Sequence, residues 1–118
     1  MTQPPEARAL RSLITPEGQL RLSLDTIPLD PPGPGELMIR VEASPINPSD
    51  LGSMLGPADP ATFRAEGTPD HPVLVADVPK DKLAAIQGRL GQPLPLGNEG
   101  AGTVIDAGPD VAHMIGRK

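Results

Sequence analysis

Two short polar motifs and two histidines are the reactive candidates in this chain. The first motif is a glycine run, Gly97-Asn98-Glu99-Gly100-Ala101-Gly102. A phosphate-binding loop requires G-x-G-x-x-G between a strand and a helix. Here the spacing is reversed to G-x-x-G-x-G, an apolar strand follows, and there is no P-loop lysine. The run therefore reads as a place where two backbones approach closely or a bulge forms. Glu99, a carboxylate set between glycines, needs a hydrogen-bond or ionic partner if it is buried. The second motif is Asn47-Pro48-Ser49-Asp50. Asn47 can cap a helix, Pro48 suits the first helical position, and Asp50 falls in the first turn near the positive end of the dipole. The same turn can instead place the Asn47 amide at a cleft, where it orients a polar ligand. His71 and His113 have no companions at metal-ligand spacing and read as surface histidines. The acidic residues of 77–81 read as a solvated face and helix-end charge.

Composition bounds what these motifs can serve. At 118 residues the chain has the length of one domain. Leu, Ile, Val and Phe make up 28 residues, about 24% of the chain and above the roughly 20% below which disorder is the default, so an almost purely aliphatic core is possible. Pro and Gly together number 30, which calls for short strands broken by many turns. Phe63 is the only aromatic residue and the net charge is -5. Base stacking and phosphate-backbone binding are both disfavoured, so no nucleic acid is expected as a partner. Cys is absent, which removes disulfides, thiolate metal sites and a cysteine nucleophile. No apolar run approaches the roughly 18 residues needed to span a bilayer, and residues 1–9 lack a signal-peptide core. The expectation is a cytoplasmic chain without a membrane partner.

The elements that must carry the motifs follow from periodicity. Residues 7–14 give a short strand from Ala9, Leu10, Leu13 and Ile14, closed by a Pro16-Glu17-Gly18 turn. Leu20, Leu22 and Leu24 alternate with polar residues, the period of a strand with one buried face. Residues 27–35 hold four prolines and read as an extended surface loop. Residues 37–43 alternate most clearly, with Leu37, Ile39, Val41 and Ala43 on one side. A short helix follows from Pro48, bracketed by Gly52 and Gly56-Pro57. Residues 58–69 show no period. Residues 72–78 suggest an extra strand, and 80–90 a helix with Leu83, Ile86 and Leu90 on one face. The whole stretch from about 57 to 92 reads as an α/β insert packed on the outside of a β domain. A last strand covers 103–106, stopped by Gly108-Pro109. The class is mainly β, a small barrel or sandwich with one or two short helices.

Taken together, two segments resemble a known family. They are Pro34-Gly35-Glu36-Leu37 through Ile46-Asn47-Pro48-Ser49-Asp50-Leu51, and Pro95-Leu96-Gly97-Asn98-Glu99-Gly100-Ala101-Gly102-Thr103-Val104 with Ala107-Gly108 and Gly116-Arg117. Their order is similar to the N-terminal GroES-like domain of the medium-chain dehydrogenase/reductase (alcohol dehydrogenase) superfamily, and resembles most its zinc-independent quinone oxidoreductase and enoyl thioester reductase branch. The resemblance implies a partly open GroES-like β-barrel over residues 1–118, interrupted by the insert. Zinc alcohol dehydrogenases carry a cysteine in the turn after the long strand and a histidine before the glutamate of the glycine run. This sequence has Ile46-Asn47 and Asn98 there, and an amide carbonyl is a poor zinc ligand. The implied metal set is therefore none.

What the resemblance implies chemically is hydride transfer from NAD(P)H to a quinone or enone. Asn47 is the implied catalytic residue, and Asn47 and Asn98 the implied cofactor-binding pair. Asp50 holds the turn. Some enoyl reductases place a proton-donating tyrosine after this turn, whereas residues 52–56 here read Gly-Ser-Met-Leu-Gly and the chain has no Tyr. The superfamily binds its nucleotide mainly through a Rossmann domain, so the expected partners are that C-terminal domain, a small conjugated carbonyl substrate and a second copy in a homodimer. The chain then reads as a fragment of an NAD(P)H-dependent oxidoreductase, inactive alone. The competing expectation is a non-catalytic GroES-like binding or assembly module, with 58–69 as the counterpart of a mobile loop.

Overall fold

The computed structural model describes residues 6–118. Strand outweighs helix, and seven strands form two sheets, neither of them closed among the described residues. The chain is mainly β, as its alternation predicts, and the arrangement is compatible with a partly open GroES-like barrel. It divides into two compact units, one of residues 6–7, Pro28–Ile46 and Gly97–Lys118, the other of Arg8–Ile27 and Asn47–Leu96.

The larger unit is built on a five-stranded sheet in the order β4-β5-β2-β1-β6. Its strands are β1 (Glu6–Ile14), β2 (Gln19–Pro28), β4 (Arg64–Gly67), β5 (Pro72–Asp77) and β6 (Leu94–Pro95). The turn after β1 closes through Thr15 N–H to the Gln19 carbonyl at 2.8 Å and Gly18 N–H to the Thr15 carbonyl at 3.0 Å. Gly18 adopts φ +98°, a conformation that only glycine takes at little cost. The period-two leucines of β2 direct Leu20 into a core with Ile14, Ala76 and Val78. Leu55, Ala58, Leu83, Ile86 and Leu90 pack around it.

This core corrects the reading of 57–92 as material packed on the outside. β5 is hydrogen-bonded to β2 in antiparallel register, with Leu20 opposite Ala76, and Val75 and Ala76 are fully buried. The run Val73-Leu74-Val75-Ala76 is apolar on both faces, which is how an interior strand reads. The helix expected over 80–90 also divides. A single α turn, α2 (Lys80–Leu83), gives way to a 3₁₀ segment (Ala84–Arg89) that is non-helical at Ile86 (φ -123°, ψ 22°). The three-residue repeat of a 3₁₀ turn sets Leu83 and Ile86 over one another, and both reach the core. Residues 58–69 are structured too. Asp59 caps a 3₁₀ turn (Pro60–Thr62), accepting from Ala61 N–H at 3.0 Å, and β4 pairs with β5.

The smaller unit holds a two-stranded antiparallel sheet of β3 (Leu37–Ala43) and β7 (Ala101–Ala107). β3 has the limits its alternation predicts, but its apolar side is not buried as expected. Ile39 and Val41 are 49% and 63% exposed, whereas Val104 of β7 is buried. Two register shifts, at Met38/Ile39 and between Val41 and Ala43, break the clean two-residue phase that the alternation assumes. Residues 116–117 take the other side of Val104, with Gly116 N–H donating to its carbonyl at 2.8 Å and its N–H donating to the Arg117 carbonyl at 2.9 Å. Among the described residues, no helix is long and apolar enough to cross a membrane.

Candidate functional site

Asn47 stands at the N-cap of helix α1 (Pro48–Leu55) in an extended conformation (φ -91°, ψ 157°), with Pro48 in the first turn. Its N–H donates to the Asp50 carboxylate at 2.8 Å, and its side chain accepts in return from the Asp50 backbone, a capping box. Asp50 is 3% exposed, so the carboxylate is committed to holding this turn. Asn47 itself is half-buried. Its amide carries both acceptor and donor capacity, the chemistry complementary to a carboxamide or a ketone.

An eight-residue helix is too short to be stable by itself, so what holds its ends fixes the place of Asn47. Each of the last four carbonyls of α1 has a donor. Gly52 accepts from Gly56 N–H at 2.8 Å and Leu55 from Ala58 N–H at 3.1 Å. Met54 accepts from the Ser12 hydroxyl at 2.8 Å, and Ser53 from the Arg89 guanidinium at 3.1 Å. The same guanidinium nitrogen donates to Ser12 Oγ at 2.6 Å. Ser12 and Arg89 escaped the reading of the sequence. A signal for Ser12 was present, since it shares the inward phase of β1 with Ile14 and is fully buried. Nothing local marks Arg89.

The glycine run lies in the smaller unit. Asn98 and Glu99 are both exposed, so Glu99 is not the buried carboxylate that its flanking glycines allow. Asn47 and Asn98, expected to serve one cofactor, belong to different units. The structural reading of the glycines holds. A Cβ on Gly102 would lie 2.0 Å from the Arg40 carbonyl oxygen, so β7 approaches β3 more closely than any other residue permits. Beside the run, a groove of about 380 Å³ has Ile39, Glu42, Ala43, Gly102, Val104 and Lys118 among its lining residues.

Glu42 accepts from the Thr103 hydroxyl and from Lys118 Nζ, the latter at 3.1 Å. The Thr103 bond first, the Lys118 bond second and Arg40 more weakly hold its carboxyl below the usual range, against a smaller opposing effect of burial. A carboxyl lowered in the folded state adds stability above its ordinary pKa and loses it as pH falls through the depressed value. Carboxyl-carbon NMR titration should therefore show Glu42 rising toward the ordinary value in Thr103→Val, and rising less in Lys118→Met. No rise in Thr103→Val would show that the hydroxyl does not set it.

Among the described residues, no three of His, Cys, Asp and Glu converge to hold a metal ion. His71 and His113 are exposed and lie in separate units. Over 50 residues the chain is 42% identical to a zinc-type alcohol dehydrogenase-like protein of Schizosaccharomyces pombe. That match supports a place in the alcohol dehydrogenase superfamily of oxidoreductases. The aligned stretch covers 42% of this chain and 15% of the relative, so the chain spans only a small part of the curated protein it matches. No family model matches the chain.

Proposed function

We infer that this chain is the substrate-side, GroES-like N-terminal domain (residues 1–118, with an insert at about 57–92) of a zinc-independent NAD(P)H-dependent oxidoreductase. Its reaction is two-electron reduction of a conjugated carbonyl, a quinone or an enone. The reduced nicotinamide, held mainly by a following Rossmann domain, supplies the hydride, and solvent supplies the proton. The observation that carries the reading is the Asn47 amide, fixed in place by its capping box at the end of a helix anchored at both termini. An amide held in this way orients a carboxamide or a carbonyl without changing charge. Asn98, at the bend before β7, is the second residue proposed to contact the cofactor. The likeness to an alcohol dehydrogenase-like protein supports the oxidoreductase class.

The relative is by name a zinc-type protein, and the residues here do not fit that metal. The chain has no thiolate, its two histidines belong to separate units, and amides stand at the positions where the resemblance would require zinc ligands. No step is therefore assigned to a metal. The stretch likened to a mobile loop in the assembly-module reading forms a capped 3₁₀ turn and a paired strand.

The full-length protein should oxidise NADH or NADPH in the presence of quinones or enones without added metal. In Asn47→Ala, kcat should fall about tenfold or more, the scale of a lost orienting contact. Nucleotide binding by folded protein with no turnover across a broad acceptor panel would refute the proposal.

A further inference from the structure

We propose that Arg89, acting with Ser12, is a positioning residue for Asn47. The proposal rests on the reading of Asn47 given above, and on four observations within one unit. First, Arg89 and Ser12 supply the two donors that the chain's own continuation cannot offer to the last turn of α1, at Ser53 and Met54. Secondly, a charged group, the guanidinium of Arg89, is held at this half-buried position. Its Nε is buried without a hydrogen-bond partner, and neither of its two hydrogen-bonding partners carries a formal charge. Such burial is unfavourable unless something nearby favours a cation. The negative end of the α1 dipole does so. Thirdly, Gly56 leaves room for it. The residue sits at φ +52°, and a Cβ there would lie 3.1 Å from Arg89 Nη1. Fourthly, Ser12 is fully buried on β1, so the clamp fastens α1 to the sheet.

The consequence for Asn47 follows from rigidity. A helix of eight residues is about 12 Å long, and pinning one end to a sheet sets the direction in which the other end presents its cap. Without the clamp, α1 keeps its capping box but loses its fixed orientation. Binding energy for the nucleotide then changes little, whereas the fraction of complexes in a reactive geometry falls.

The test uses the full-length protein with Arg89→Met, Arg89→Lys and Ser12→Ala. In Arg89→Met, amide exchange across α1 should accelerate, the Asn47 side-chain amide resonances should shift, and kcat should fall roughly tenfold with the nucleotide KM within about twofold. Arg89→Lys should recover part of kcat, since both contacts come from one nitrogen, which an ammonium can replace, but the shorter stem lacks the planar fork that holds that nitrogen in place. If Arg89→Met does not fold, Ser12→Ala carries the same comparison. Faster α1 exchange with unmoved Asn47 resonances and unchanged kcat would overturn the proposal, leaving Arg89 a structural anchor alone. Full turnover in Asn47→Ala, with Asn47 resonances still responding to Arg89, would instead refute the site reading and leave the mechanical coupling standing.

Discussion

Gly102→Val abolishes the pairing of β3 with β7. A Cβ at this position would sit 2.0 Å from the Arg40 carbonyl oxygen, 2.8 Å from its carbon and 2.9 Å from the Val41 Cα. All three are backbone atoms of the facing strand, so no rotamer change relieves the clash. Overpacking against flexible side chains already costs about 1–3 kcal/mol, and a collision with fixed backbone exceeds that. Set against a typical domain stability of about 5–15 kcal/mol, the loss is enough to open a two-stranded sheet. Amide protection over residues 37–43 and 101–107 should disappear, while the amides around Ile14, Leu20 and Val75 in the other unit stay protected. The groove beside Gly100 and Gly102 goes with the pairing. Retained protection in β3 would show that the close approach is not required.

Excising residues 57–92 destroys the larger unit. The segment carries β4 and β5, and with them the fully buried Val75 and Ala76, the buried Val78 and the flanking Leu83, Ile86 and Leu90. Burying each large aliphatic side chain contributes about 1.5–3 kcal/mol, so the sum removed matches or exceeds the stability of a typical small domain. The shortened chain, with a flexible link from Gly56 to Pro93, should show no cooperative thermal transition in this unit and no protected amides in β1 or β2. A cooperative melt with β1 and β2 still protected would mean that the segment is an accessory after all.

These two variants also mark how far the sequence is legible. β3 could be read to the residue from strict alternation, and the start of α1 from Asn47-Pro48-Ser49-Asp50, because both signals are local. β4 could not. Arg64, Ala65, Glu66 and Gly67 are all exposed and carry no apolar phase, and the strand exists because β5 lies beside it. Ion pairs between Arg64 and Asp77 and between Arg21 and Glu66 decorate it, but exposed pairs of this kind are worth little. The helix over 80–90 failed for a related reason. The three-residue step from Leu83 to Ile86 fits a 3₁₀ turn as well as an α-helix, whereas the four-residue step to Leu90 begins at Ile86, where the backbone leaves helical geometry. Within the site, the Asn47 turn was legible, whereas the clamp was not. Ser12 and Arg89 are 77 residues apart, and no local pattern joins a serine in a strand to an arginine in a 3₁₀ turn.

That separation has a kinetic side. The two outside donors to the last turn of α1 come from 42 residues before it and 36 residues after it. A helix this short gains little by nucleating early, and its last turn stays unfinished until both long loops have closed. During synthesis the last turn of α1 should therefore remain incomplete until Arg89 has left the ribosome, and in refolding it should mature after the local capping box at Asn47.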